Sequence, residues 1–395
     1  MQHTTDYLIV GAGMAGEAAA HAIREHDPSG RIDLLGAEND PPYDRPPLSK
    51  ALWKPDADPA SVFRPVAKTG ATLSLGRHAV KLDPAAHRVE DDRGDTWQYR
   101  KLLIATGGTP RTLSFGGDRI IHYRTLADYR RLRELAQPGA HIVVVGGGFI
   151  GSEIAAALAS NGCKVTMVFP ESGIGARAYP GDLVAFVTGY YRQHGVDVRS
   201  GLTVASGAQA GDEVRLTLSD GTAITAGAVV AGLGITPNVQ LAKDAGLAVD
   251  NGIVVDANMA TSAPDVFAAG DVASFPNPDL GRMRVEHENA AISMGHRAGL
   301  AMAGHPSPYT ELPFFYSDLF DLGYEAVGRL DARLDLVEDW KTPGREGVVY
   351  YLDDGRVRGV LLWNTWGQVD AARALIAEPG RFDDERLRGR LPATA

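Results

Sequence analysis

The chain has 395 residues, a formal net charge of −10 and 22% charged residues, so a non-specific binder of nucleic acid or of an anionic membrane is excluded as a class. A single Cys excludes an internal disulfide framework, a cysteine-based zinc site and a paired-cysteine redox centre. The apolar share of 44% is ordinary for globular proteins, and this length fits two or three domains at about 150 residues each. No stretch reaches the ~20 apolar residues that span a bilayer. Residues 1–6 carry no basic run, and the apolar run after them, Tyr7-Leu8-Ile9-Val10, is too short for a signal segment. A cytoplasmic protein is expected.

In chain order, Tyr7 to Val10 reads as a buried strand. It runs into Gly11-Ala12-Gly13-Met14-Ala15-Gly16, an Ala-rich helix over residues 17–25, and a second strand over 31–35 that ends near Glu38. Together these form a strand–turn–helix–strand unit. Residues 102–104 form another strand, capped by Ala105-Thr106-Gly107-Gly108. The opening grammar then returns: a strand at 142–145, Gly146-Gly147-Gly148-Phe149-Ile150-Gly151, a helix over 152–160, a strand at 165–169, and Glu171 beyond it. A recurrence at this spacing predicts two similar nucleotide-binding domains rather than a solenoid. Two more strands run into glycine, at 229–231 before Gly232-Leu233-Gly234 and at 266–269 before Gly270-Asp271. After about Thr310, aromatic and β-branched residues alternate around an Asp354-Gly355 turn, which predicts antiparallel strands. A last helix covers 368–376, and the charged tail 381–395 is expected to fray.

Each glycine turn has a physical task. One glycine permits the tight turn, a second clears space for a pyrophosphate, and a third lets helix and strand close up. The phosphate charge then meets free N–H groups at the helix N-terminus. An acid about 20 residues on accepts from the ribose diol, and Glu38 and Glu171 stand at that spacing. Two bound dinucleotides in one chain point to hydride transfer between a nicotinamide and a flavin. Glu171 would repel a ribose 2′-phosphate and so favours NADH, while Arg177 nearby would bind one or flank the adenine.

These residues and motifs bear a resemblance. Gly11 to Gly16, Arg45-Pro46-Pro47-Leu48-Ser49-Lys50, Ala105-Thr106-Gly107-Gly108-Thr109-Pro110-Arg111, Gly146 to Glu153, Gly232-Leu233-Gly234-Ile235-Thr236-Pro237-Asn238, Ala269-Gly270-Asp271, Val285-Glu286-His287 and Phe315-Tyr316-Ser317-Asp318 follow one another along the chain. In that order they are similar to FAD-dependent pyridine-nucleotide oxidoreductases of the ferredoxin/rubredoxin reductase type. Phe169-Pro170-Glu171 and Asp321-Leu322-Gly323-Tyr324-Glu325 resemble the apoptosis-inducing-factor branch. The resemblance implies an α/β, glutathione-reductase-like fold. Its parts would be a discontinuous FAD-binding domain (1–110 and 240–310), an inserted NAD-binding domain (111–239) and a C-terminal α+β domain (311–395). It puts FAD on the first glycine turn and NAD(H) on the second, Arg45 and Lys50 beside the flavin, and Asp271 on the ribityl chain.

The resemblance further implies that Lys50 and Glu153 form an ion pair near the reacting rings, where an ammonium stabilises the charge of reduced flavin. An ordinary solvated lysine and a first-turn glutamate are the alternative. Phe149 either covers the nicotinamide or packs helix on sheet. Tyr316 stands where many relatives carry Trp, and Glu286 and His287 match positions near the flavin's pyrimidine end. Cys163 falls in a helix-to-strand turn and reads as packing, and the histidines lack metal-ligand spacing. With no cysteine pair, electrons must leave the flavin directly, and a ferredoxin or rubredoxin accepts them one at a time. Arg124, Arg130, Arg131 and Arg133, and Arg282, Arg284 and Arg297, would serve as a basic patch for an acidic partner, or as solvated faces. The expected function is therefore an NADH-dependent flavoprotein reductase of a small iron–sulfur protein, with a homodimer an open alternative to a monomer. The other readings are an apoptosis-inducing-factor-like NADH oxidase or sensor with a long-lived charge-transfer complex, and a reductase of a small quinone or organic radical at Trp363-Asn364-Thr365-Trp366.

Overall fold

The structure is a computed structural model and describes residues 1–391. It divides into two compact units. The first holds Met1–Asp44, Pro59–Thr109 and Thr236–Pro313, and the second holds Arg45–Asp58, Pro110–Ile235 and the chain from Phe314 onward.

The first unit is built on a sheet in the order Thr72–Leu75, Ile32–Gly36, Gln2–Val10, Thr96–Ile104, Arg88–Asp91, Ala79–Asp83. Val266–Ala268 pairs in parallel with the end of Thr96–Ile104. The central strands are parallel: Tyr7 to Val10 face residues 32–35 on one side and 101–104 on the other. Leu8, Ile9, Leu34, Leu102, Leu103 and Ile104 are fully buried. Strands covered on both faces read as continuous apolar runs, which is why the sequence shows blocks here and not alternation.

The helix Met14–His26 packs against Glu288–Met302, and the alanine content of the first helix has its reason there. A Cβ on Gly295 would lie 2.1 Å from the Ala15 carbonyl oxygen, and one on Gly299 would lie 2.4 Å from that of Ala19. Glycines four residues apart face the same way on a helix, so the two backbones meet almost directly.

The second unit repeats the plan with a parallel sheet in the order Asp197–Ser200, Lys164–Phe169, His141–Val145, Ala228–Ala231, Ile120–His122. Helices Phe149–Ser160 and Gly181–Gln193 belong to it, with an antiparallel sheet of Val204–Ala210, Glu213–Leu218 and Ala223–Ala226. The same unit contains a five-stranded antiparallel sheet in the order Phe314–Leu319, Leu322–Gly328, Arg356–Trp363, Glu346–Asp353, Asp335–Thr342. Asp354 and Gly355, at φ 51° and 73°, make the expected tight hairpin turn. The first hairpin of this sheet, Phe314–Leu319 with Leu322–Gly328, turns through Phe320 at φ 62°, an unusual conformation for a bulky side chain. Its ring is caught among Tyr190, Tyr191 and His194 of the helix Gly181–Gln193 and its cap.

Three expectations need correction. Both nucleotide-turn helices start three residues earlier than their sequences suggest, at Met14 and Phe149, because Gly13 and Gly148 act as N-caps and the third glycine of each turn is already helical. The tail is not frayed through residue 391. Asp384–Leu387 is a short helix whose cap, Asp383, accepts from the Arg386 N–H at 3.0 Å, and Phe382, Leu387 and Leu391 are buried. Residues 392–395 of that expected tail lie outside the described residues. Among the described residues no helix is long and apolar enough to cross a membrane.

The glycine contacts predict opposite signs for two alanine substitutions. Gly295→Ala drives a methyl into the Ala15 carbonyl and is expected to lower unfolding stability by about 1–3 kcal/mol. Gly189→Ala, inside Gly181–Gln193 with nothing within 4 Å, is expected to raise it by up to about 1 kcal/mol. Urea midpoints at unchanged slope test both.

Candidate functional site

The two glycine turns are built alike. Gly11 sits at φ 122° and Gly146 at φ 123°, where any side chain is strained. A Cβ on Gly11 would lie 2.1 Å from the Ala105 carbonyl oxygen, and one on Gly146 would lie 2.4 Å from that of Gly232. The third glycines close the turn: a Cβ on Gly16 or Gly151 would come within 2.1 or 2.2 Å of the carbonyl oxygen of Gly11 or Gly146. The middle glycines are the opposite case. Gly13 and Gly148 have nothing within 4 Å of where a Cβ would stand. Each turn is thus shut against itself and against the end of the neighbouring strand, and open in front of its helix N-terminus. Neither helix has a side-chain cap, so N–H groups remain there for an anion, and a pyrophosphate fits both places. Ala15 lies on the first helix with its backbone under Gly295, and Ile150 is an exposed first-turn residue of the second.

The acids stand where spacing placed them, at the ends of the second strands. Glu38 accepts from the Tyr43 hydroxyl at 2.5 Å. Glu171 is ion-paired to Arg177 at 2.5 Å, so the arginine is held by the acid it was expected to oppose. In the first unit, Thr106 and Gly107 are tied to Asn238: the Thr106 hydroxyl donates to the Asn238 carbonyl at 2.9 Å, and the Asn238 N–H donates to the Gly107 carbonyl at 3.0 Å. Ala105 lies under Gly11, as above. Gly270, at φ 80°, opens a single 3-10 turn carrying Asp271, whose carbonyl accepts from Arg284 at 3.1 Å. Glu286 pairs with Arg284 at 3.0 Å. His287 caps the helix Glu288–Met302, and burial pushes its imidazole down to about 4 against the pull of Asp271.

In the second unit, Arg45 donates to the Arg124 carbonyl at 3.0 Å, and the Arg111 N–H donates to that of Gly234 at 2.9 Å. Gly234 is at φ 78°. Lys50 meets Glu153 at 2.7 Å, with side-chain exposures of only 10% and 3%, so the solvated alternative is wrong. Two hydroxyls also reach that carboxylate, Ser49 at 2.5 Å and Ser317 at 2.6 Å. The ammonium lies 5.1 Å from the centre of the Tyr316 ring. Tyr179, Tyr191 and Tyr324 are buried nearby, their phenols pushed upward by burial and further by the charge of Glu153. The Phe149 ring rests on Phe315 of the C-terminal sheet at 4.8 Å and stays 38% exposed.

Ser49, Ser317 and the three tyrosines carry no pattern of their own. The two serines lie inside recognisable motifs, but only the fold shows that they converge on one carboxylate. Arg133 packs over Trp53 and donates to Asn161, while Arg282 and Arg297 are bound to Ser274 and Ser307. Cys163 is buried with its thiol pushed up by burial, as packing predicts. Of the two tryptophans at 363 and 366, the first is core and the second is 43% exposed. Among the described residues no cluster of His, Cys, Asp or Glu could hold a metal ion.

Residues 5–295 match the family model for pyridine nucleotide-disulphide oxidoreductases. The chain belongs to that family. It is 36% identical over 392 residues to the anthranilate 1,2-dioxygenase system ferredoxin–NAD(+) reductase component of Burkholderia cepacia, covering 96% of both chains. It is 34% identical to apoptosis-inducing factor 1 of Dictyostelium discoideum, covering 96% of this chain and 79% of that one. The crystal structure of the covalent putidaredoxin reductase–putidaredoxin complex superposes with a TM-score of 0.88 at 31% identity, over 94% of this chain and 93% of that one. The fold is the two-nucleotide α/β fold of these reductases, and the cofactors of the family are FAD and NAD(H). Although the family is named for disulphide chemistry, this chain has one Cys, and it is buried.

The open and closed glycines separate binding from folding. Gly148→Asp adds a carboxylate in open space and is expected to leave the unfolding midpoint near the native one while weakening NADH by about tenfold or more. Gly146→Asp, forced against the Gly232 carbonyl, is expected to destabilise the fold itself. Calorimetric NADH titration alongside thermal unfolding distinguishes the two.

Proposed function

We propose that this protein is an FAD-dependent reductase that takes electrons from NADH and delivers them to a small iron–sulfur protein of the ferredoxin type. The observation that carries the reading is the buried Lys50–Glu153 pair at the start of the helix that follows the second glycine turn, in a chain with no cysteine pair to receive electrons. The ferredoxin-reductase and putidaredoxin-reductase relatives supply the acceptor class. A homodimer stays open beside the monomer.

On this reading the 1–110 and 240–310 segments form the FAD domain, 111–239 the NAD domain and 311–395 the C-terminal domain. Gly11, Gly13, Gly16, Glu38, Thr106, Asp271, Glu286 and His287 hold FAD, and Gly146, Gly148, Gly151 and Glu171 hold NADH. Bound flavin supplies hydride acceptance and single-electron release. The protein's part is to position and to exclude water. Lys50 holds a positive charge in a dry place, where it acts far more strongly than in water. His287, neutral at pH 7, offers a hydrogen bond and no charge. Phe149 shields the mouth of the second turn. Glu171, holding Arg177, presents a carboxylate to the ribose, which favours NADH over NADPH. The cytoplasm, where NADH is regenerated, is the compartment that fits.

Anaerobic NADH should bleach the bound flavin, and oxidised ferredoxin should restore its colour much faster than air does. No acceleration by ferredoxin would contradict the proposal. A reduced form that persists with every acceptor, with a changed sedimentation profile, would favour the apoptosis-inducing-factor-like reading instead.

A further inference from the structure

The carboxylate of Glu153 is 3% exposed and accepts from three donors on two segments far apart in the chain. Oε2 takes the Ser49 hydroxyl at 2.5 Å. Oε1 takes the Ser317 hydroxyl at 2.6 Å and the Lys50 ammonium at 2.7 Å. Ser49 has one other acceptor in reach, the Pro46 carbonyl at 3.4 Å, and the shorter contact decides where its proton points.

The two hydroxyls come from rigid places. Ser49 ends the 3-10 turn Pro46–Ser49, whose Leu48 carbonyl is held by the Trp53 indole at 2.8 Å and by the Tyr123 hydroxyl. Ser317 lies in the strand Phe314–Leu319, fixed opposite Tyr324 by sheet pairing. Lys50 and Glu153 are different. The lysine has a flexible four-carbon stem, and the terminal torsion of a glutamate has broad, shallow preferences. Left to themselves, these two groups would stay paired but wander together. Hydroxyl donors on both oxygens fix the plane of the carboxylate, and with it the place of the ammonium over the Tyr316 ring. They also supply the extra hydrogen bonds that a desolvated ion pair needs if it is not to be a net loss.

We propose that Ser49 and Ser317 are positioning residues that, through Glu153, hold the Lys50 ammonium in one place for the reaction. They touch neither nucleotide on this view. The inference rests on the reading above, that Lys50 stands beside the flavin.

The test uses the purified flavoprotein and its Ser49→Ala, Ser317→Ala, Ser49→Thr and Ser317→Thr variants. Three things are measured: competitive acetylation of Lys50 by mass spectrometry, the limiting rate of flavin reduction against the NADH dissociation constant, and the flavin midpoint potential. Loss of one charge-assisted hydrogen bond is expected to raise Lys50 acetylation by about tenfold. The limiting rate should fall and the potential should shift while NADH affinity holds. The threonine variants, which keep the hydroxyl, should stay near the native values. Unchanged acetylation, rate and potential in both alanine variants, with unfolding midpoints confirming the fold, would overturn the proposal. So would threonine variants that match the alanine ones. If the native protein holds no flavin, the functional reading fails, and acetylation of Lys50 alone decides the role of the serines.

Discussion

A helix offers its free N–H groups to a phosphate only if nothing stands in front of them and the helix is pressed hard against the strand behind. Both turns of this protein meet that constraint in the same way. Gly16 and Gly151 let the helix start close onto the carbonyls of Gly11 and Gly146, with no room for even a methyl group. Gly11 and Gly146 take backbone angles that other residues adopt only under strain. Gly13 and Gly148 keep the front clear. The Ala-rich helix Met14–His26 and the Gly295 and Gly299 contacts extend the same close packing through the first unit.

The second constraint is charge. A carboxylate as enclosed as that of Glu153 is tolerable only when it is paired with a cation and hydrogen-bonded. Here the partners are Lys50, Ser49 and Ser317, on a short turn, the same turn and a sheet strand. The site therefore draws on segments far apart in sequence, which explains why residues 45–58 and the C-terminal sheet belong to the same compact unit as the second nucleotide turn. The tyrosines around the carboxylate keep their protons because burial and the charge of Glu153 both push them upward. They form a wall that is polar but uncharged.

What could be read from the chain was what depends on local geometry. Glycine spacing gave both turns, apolar runs gave the parallel strands, and Asp354-Gly355 gave a hairpin. The resemblance gave Lys50 and Glu153 as a pair. Serines have no spacing rule, so Ser49 and Ser317 stayed silent until the fold brought them to one carboxylate. The helix Gly181–Gln193, with three aromatic residues, does not announce itself by composition, and its face is explained only by the Phe320 ring it receives. Composition counts the arginines but cannot show which groups in the fold they meet: Arg133 donates to the Asn161 side chain, Arg282 to the Ser274 carbonyl and Arg297 to the Ser307 hydroxyl.

The central claim is that each glycine turn holds its own dinucleotide, one resident and one exchanging. The most direct measurement is stoichiometry: release and count the flavin from purified protein, then titrate the intact flavoprotein with NAD(H) by calorimetry. The account predicts one FAD per chain that survives purification and one further, reversible NAD(H) site. A protein that carries no flavin and takes none up, or one in which NAD(H) displaces FAD from a shared site, would contradict it.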